Sequence, residues 1–272
     1  MNFITKTDIS IGPQLGSQMS QYAGLYSVSK NTKHNIVFFE ECLSLHRGIK
    51  LFAPFKNLSC SIVKRASVDN SIINRYTLEN SIKDVNAFSI DPTINWDIMG
   101  LFHLYHYWND YKEDIIKEFE FDSPILKTAT DFISSISEPD TPIISMHFRR
   151  TDYLEVSSLN LSLDYYWEAI QFLIGKLKYF KLLVFSDDIQ WCKENVVGEN
   201  IIYSEHNSLE DMCIMSLCDH NIIANSSFSW WGAYLNKNPS KIVICPDKYL
   251  LGGDCEFVNY NYYPSDWIAI KI

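Results

Sequence analysis

The strongest constraint on this chain lies in its second half. Between residues 143 and 245, five short apolar runs alternate with segments of helical period. The runs are 143–148 (IISMHF), 182–186 (LLVFS), 200–203 (NIIY), 221–224 (NIIA) and 241–245 (KIVIC); the helical segments are 163–177, 189–195, 209–217 and 228–235. Strands that are apolar throughout, rather than alternating with polar residues, are covered on both faces. Strands separated by helices order as a parallel sheet with helices above and below, so the class is α/β.

The first half carries a weaker version of the same pattern. A strand over 3–7, a loop over 11–16 (IGPQLG), a helix over 18–30 and a strand over 35–39 make one βαβ unit. Residues 41–95 show no clear period, whereas 97–120 carry Phe102, Tyr105 and Ile116 on a helical one, and 128–137 reads as another helix. The EPDTP segment at 138–142 is the clearest break. It divides the chain into residues 1–138 and 139–272, two Rossmann-like halves facing a cleft.

Charge narrows the function. The net charge is −10, from 23 basic and 33 acidic residues, which repels nucleic-acid phosphates and excludes DNA or RNA as the main partner. The seven cysteines form no C-x-x-C and lie mostly in apolar stretches, as buried free thiols do. The N-terminal MNFITKTDIS lacks a basic-then-apolar leader, and no apolar run approaches membrane-spanning length. The expected location is the cytoplasm, compatible with the inner face of a membrane if the acceptor is lipid-linked.

In open α/β sheets, ligands bind at the carboxyl ends of strands. Four polar clusters fall there: His147 to Asp152, Ser186 to Asp188, Ser204 to His206, and Asn225 to Ser227. Taken singly each reads as helix capping, Asp187 and Asp188 above all. The arginines are harder to explain that way, because only five occur and two of them, Arg149 and Arg150, are neighbours. A guanidinium offers a planar fork matched to phosphate oxygens. Asn225, Ser226 and Ser227 open a helix whose free N–H groups and hydroxyls make a second anion-binding element. Strand alternation places the two arginines on opposite faces, one toward the cleft and the other bracing the loop. No G-x-x-x-x-G-K-[ST], G-x-S-x-G or H-E-x-x-H occurs, and the glycine loop has the wrong spacing for a dinucleotide fingerprint. No D-x-D is present either, so positive charge at a leaving diphosphate must come from side chains. Trp230 and Trp231 read as core, and His103 and His106, three apart, as packing or acceptor contacts.

At these residues the sequence resembles the α-1,2-fucosyltransferases of glycosyltransferase family eleven. HFRRTDY at 147–153 resembles their H-x-R-R-x-D-Y motif and VFSDD at 184–188 their second block. The stretch 211–235 (DMCIMSLCDHNIIANSSFSWWGAYL) resembles the third, and GSQMSQYA at 16–23 resembles their G-N-Q-M-F-Q-Y-A segment. Ser17 and Ser20 depart from that segment, as Pro13 and Gln14 do from the glycine-rich approach to it. The resemblance implies a two-domain GT-B fold, GDP-β-L-fucose as donor substrate, inversion, and no metal or other cofactor. It implies a terminal galactose of a glycan as acceptor, modified at its 2-hydroxyl. By the same resemblance His147, Arg149 and Arg150 bind the donor; by a looser similarity to α-1,6-fucosyltransferases Asp211 and Ser227 match residues that contact the nucleotide, with Asn225 and Ser226 in the same donor-binding block, while Gly16 and Gln18 belong to the acceptor side and its loop. Residues 1–138 would then be the acceptor-side domain and 139–272 the donor domain.

Catalysis is expected to rest on Arg149, with Asp152 and Glu155 as candidate bases. Asp152 reads equally as an ion pair orienting Arg150, and Glu155 as a solvent-facing charge. Two other readings stand beside this one: a transferase using another GDP-sugar, and a non-catalytic glycan- or nucleotide-binding protein on the same fold.

Overall fold

The computed structural model describes residues 2–9, 14–43, 50–69, 72–78, 84–156, 159–249 and 262–272. The chain divides into two compact units, Met1–Glu120 and Phe121–Ile272. This division precedes the expected boundary at residue 138, for a physical reason. Helix α4 (Ser123–Ile136) packs against a helix of the second unit, α7 (Ser208–Leu217). Residues 138–142 are a tight turn inside that unit: Glu138 bridges Thr141, Asp140 takes φ 56°, and Lys181 Nζ reaches Glu138 at 2.6 Å.

The C-terminal sheet has six strands. They are β6 (Ile143–Phe148), β7 (Lys181–Ser186), β8 (Ile201–Tyr203), β9 (His220–Ile222), β10 (Val243–Pro246) and β11 (Ile268–Ile270). Their order is β11-β10-β9-β6-β7-β8, and every pairing is parallel. Five of the six were legible as apolar runs; β11, three residues long and in register with β10, was not. The connecting helices are α5 (Leu163–Ile174), α6 (Ile189–Asn195), α7 and α8 (Ser227–Tyr234).

Period-two alternation divides this core. Ile144, Met146 and Phe148 of β6 join Leu182 and Val184 of β7 under Tyr165, Ala169 and Leu173 of α5 and Cys192 of α6. Ile143, Leu183 and Phe185 pack on the opposite side with Ala129 of α4 and Cys213, Ile214 and Met215 of α7. All six residues of β6 are therefore buried, and one face of it continues toward Arg149, the other toward Arg150. Trp230 and Trp231 are buried in α8, as expected of core residues.

The N-terminal sheet has five strands, β1 (Phe3–Thr5), β2 (Asn35–Phe39), β3 (Ser61–Val63), β4 (Ile73–Thr77) and β5 (Asn95–Met99), ordered β3-β2-β1-β5-β4 and all parallel. Its helices are α1 (Leu15–Thr32), α2 (Glu40–Leu43) and α3 (Lys112–Glu118). The helical period read over 97–120 is not one long helix. Strand β5 occupies its start, 3₁₀ turns follow at Tyr105–Tyr107 and Asn109–Tyr111, and only α3 is α-helical. Phe102, Tyr107 and Trp108 are buried because this irregular stretch is pressed into the core. Gly24 of α1 makes room for it: a Cβ there would lie 2.1 Å from Phe102 Cγ. His103 and His106 consequently share no helix face, and the His106 ring lies 4.0 Å from that of Tyr105.

Most of the cysteines are free thiols in this structure. Cys42, Cys192, Cys213, Cys218 and Cys245 are buried and Cys60 is half-buried; Cys255, Arg47, Gly12 and Pro13 lie outside the described residues. No helix among the described residues is long and apolar enough to cross a membrane.

Candidate functional site

The order of the C-terminal sheet reverses between β6 and β9, which lie side by side although two strands separate them in the chain. The crevice outside the carboxyl ends of such a pair is where open α/β sheets bind ligands. Arg149 and Arg150 leave the end of β6 there, and the chain leaving β9 supplies Asn225 and Ser226.

The two arginines do different things. Arg150 turns to the α5/α6 side, its guanidinium 3.4 Å from the Trp191 ring centroid and its Nε 3.4 Å from Asp188 Oδ2. A guanidinium over an indole face is worth about 1–2 kcal/mol once water is excluded, so Arg150 braces the loop. Arg149 pairs through Nη1 with Asp187 Oδ2 at 2.9 Å and through Nη2 with Asp152 Oδ1 at 2.7 Å. Asp152 thus pairs with Arg149, not with Arg150 as anticipated. Asp152 is 55% exposed and Asp187 21%, so the first ion pair contributes roughly 0–1 kcal/mol and exchanges readily, while the second is better shielded.

Asp187 is more than a cap. Its Oδ1 accepts the Arg150 backbone N–H at 2.8 Å, and Oδ2 accepts the Thr151 hydroxyl as well as Arg149. The capping role falls to Asp188, whose Oδ1 accepts Trp191 N–H at the start of α6. Asp187, Trp191 and Tyr153 were all missed as site residues. Tyr153 lies inside the HFRRTDY motif, its ring 5.3 Å from the Arg149 guanidinium and its hydroxyl donating to Asn225 O at 3.3 Å. It ties the β6 loop to the β9 loop.

On the β9 side, Asn225 is 1% exposed and its Nδ2 donates to Leu159 O and Tyr249 O, both at 3.0 Å. Ser226 caps α8 by accepting Phe228 N–H, and Ser227 opens the helix half-buried. Beneath Arg149, His147 is 4% exposed, with its ring 5.5 Å from Phe228. Burial lowers its pKa to about 4; Asp187 opposes that shift and Arg149 adds to it, so the imidazole is neutral at physiological pH. Two buried atoms at this point, His147 Nδ1 and Asn225 Oδ1, have no hydrogen-bond partner among the described residues. Unpaired buried polar atoms are costly, and two of them on either side of a strand-order reversal mark a place built to receive a ligand.

The remaining expected residues lie elsewhere. Asp211 sits on α7 beyond the edge strand β8, where its Oδ1 accepts the Ser204 hydroxyl at 2.5 Å. Burial raises its pKa to about 7, and no hydrogen bond or ion pair among the described residues joins it to the arginines. Glu155 ends an exposed 3₁₀ turn and has no polar partner among the described residues. Gly16 and Gln18 are buried in α1, where Gln18 Oε1 accepts the Lys50 N–H at 2.6 Å and anchors a loop. No group of three or more His, Cys, Asp or Glu side chains among the described residues is arranged to hold a metal ion.

Solved structures place this architecture. POFUT1 in complex with GDP-fucose is 13% identical and superposes with a TM-score of 0.55, covering 90% of this chain and 97% of its own. The NodZ α-1,6-fucosyltransferase co-crystallized with GDP is 12% identical with a TM-score of 0.55, covering 85% and 91%. At these identities the likeness concerns the fold, which is α/β with parallel sheets and of the GT-B type. Residues 2–271 match the family described as Glycosyl transferase family 11, and the chain belongs to that family. The O-antigen biosynthesis glycosyltransferase WbnK of Escherichia coli is 26% identical over 88% of this chain and 93% of its own length. An α-1,2-colitosyltransferase of Escherichia coli is 28% identical over 94% and 96%. The galactoside α-(1,2)-fucosyltransferase 2 of Sus scrofa is 22% identical over 82% and 67%.

Proposed function

We propose that this protein transfers L-fucose from GDP-β-L-fucose to the 2-hydroxyl of a terminal galactose, inverting the anomeric centre and requiring no metal. The C-terminal unit takes the donor and the N-terminal unit the acceptor. One observation carries the reading: a partly exposed arginine and two unpaired buried polar atoms converge where the C-terminal strand order reverses. The α-1,2-linkage named for two of the relatives supports the product.

In this reading the acceptor oxygen forms a bond to the anomeric carbon while the carbon–oxygen bond to GDP breaks; the electron pair leaves with the diphosphate, and the hydroxyl proton passes to water as the new bond forms. Arg149 exchanges its exposed partner Asp152 for the diphosphate and keeps Asp187 as its anchor. The start of α8 at Ser226 and Ser227 brings the positive end of the helix to the same strand end. Stabilising the departing charge supplies most of the rate. Arg150, locked on Trp191, positions the loop. Asp152 serves as the resting counter-ion of Arg149 rather than as the base, and Asp211 completes nucleotide binding at the end of β8.

The test is product analysis with GDP-fucose and a panel of galactose-terminated oligosaccharides, with and without EDTA. The expected product carries α-1,2-linked fucose on galactose at the same rate in both. Absence of transfer to every galactoside, or loss of activity with EDTA and recovery with Mg²⁺ or Mn²⁺, overturns the corresponding part. The colitosyltransferase likeness favours a second reading, another nucleotide-linked sugar as donor, which a parallel donor panel separates.

A further inference from the structure

The N-terminal sheet has its own strand-order reversal, between β1 and β5. Residues Lys6 to Asp8 leave β1 there and Gly100 to His103 leave β5. Lys6 is 1% exposed yet fully engaged: its Nζ meets Asp8 Oδ1 at 2.8 Å, Ile98 O at 3.2 Å and Gly100 O. Asp8 Oδ2 accepts the Gly100 N–H at 2.9 Å, and Asp97 holds Thr7 through both its backbone N–H and its hydroxyl. Gly100 has φ 98°, a conformation only glycine adopts cheaply, and it turns the chain toward His103. Phe102, seated in the notch of Gly24 with its N–H on Gln21 Oε1, fixes that turn from below.

The result is a rigid shelf of definite chemistry. The buried lysine is matched by Asp8 and Asp97, so the shelf presents no free positive charge to an anion. Asp8 remains 18% exposed; its Oδ1 is buried against Lys6, and Oδ2, which accepts the Gly100 N–H, keeps a lone pair for a further donor. His103 is partly exposed and has no hydrogen-bond partner among the described residues. Burial and the nearby charge of Lys6 lower its pKa, which leaves a neutral ring offering one donor and one acceptor. A carboxylate past the end of β1 and a neutral imidazole past the end of β5, joined through the Gly100 N–H on Asp8, suit vicinal hydroxyls, not phosphates.

We propose that the carboxyl ends of β1 and β5 form a hydroxyl-binding site in which His103 and Asp8 take the acceptor sugar. The proposal deepens the transferase reading and rests on it for the identity of the sugar, but the binding itself is measurable without turnover. His103 is the specificity-determining contact, and Asp8, anchored by Lys6, positions the hydroxyl it accepts.

Saturation-transfer NMR with methyl β-galactoside and lactose on the full chain, alongside a GDP titration, tests this directly. The wild type should show saturation transfer to the galactoside. His103→Ala should weaken it roughly tenfold or more, the loss of about one good hydrogen bond. His103→Gln, which keeps a donor and an acceptor, should recover part of it, and GDP affinity should stay within about twofold in both. Where turnover is seen, KM for the galactoside should rise and KM for GDP-fucose should not. Unchanged galactoside binding in His103→Ala, or none in the wild type, overturns the site. Failure of the wild type to bind GDP sinks the donor reading instead, so the two failures are distinguishable. Asp8→Asn loosens the Lys6 shelf, and the glutamine variant keeps the test independent of that.

Discussion

The two units share a plan and differ in what covers it. Every residue of β6, β9 and β10 is buried, and β7 is open only at its two ends. In the N-terminal sheet, by contrast, β3 and β4 at its edges are largely exposed. The same parallel topology thus has half-buried rims in one unit, at β8 and β11, and largely exposed rims in the other. The two reversals differ as well. The C-terminal one offers Arg149 beside unpaired buried polar atoms, and the N-terminal one offers a charge-balanced carboxylate and a neutral histidine. In the proposed reading, one topological device with different side chains at its mouth supplies an anion site in one unit and a hydroxyl site in the other.

The largest effect that tests this contrast comes from Arg149. Arg149→Ala should lower kcat with GDP-fucose by roughly 10²–10³, the size expected for losing a donor to developing charge, while the far-UV spectrum and Tm stay close to wild type. Near-normal turnover in that variant would remove the anion site from the comparison. Next comes a packing test in the other unit. Gly24→Ala gains about 1 kcal/mol of helix propensity but drives a Cβ to 2.1 Å from Phe102. Overlap of that depth should prevail, with a net loss of about 1–3 kcal/mol in denaturant unfolding. A neutral or stabilising result would mean that Phe102 repacks freely and that the shelf below His103 is not rigid. The smallest effect belongs to Asp152. If it is only the exposed partner of Arg149, Asp152→Asn should change kcat by less than about threefold. A fall of about 10²–10⁴ would instead make it the general base.

Burial on both faces also explains what could be read from sequence. Strands β6 to β10 stood out because each is an apolar run bounded by polar strand ends. Strands β3 and β4 are too polar to stand out. Residues 97–120 misled because Phe102, Tyr107 and Trp108 are buried by irregular backbone, and aromatics spaced three to five apart mimic a helix. At the site, Arg149 and Arg150 were legible as a pair with divided roles, because strand alternation alone separates them. Asp187 and Trp191 were not, since their partners come from β6, across the sheet rather than along the chain. Tyr153 carried a signal that went unused: it sits in the motif next to Asp152, and only its distance from Asn225 shows what it joins.

The N-terminal strand order has a further consequence, for time rather than for space. Strand β1 is the middle of its sheet, with Ile4 lying against Ile36 on one side and Trp96 on the other. As the chain leaves the ribosome, the first of these partners arrives early and the second only after β3 and β4 have emerged. Until then β1 has one bare edge, and such edges invite pairing with other chains. The loop closure that joins β1 to β5 is also long, which slows folding of a parallel sheet. The shelf around Lys6 therefore cannot exist before β5 docks, and the hydroxyl site of this unit is among the last things it makes.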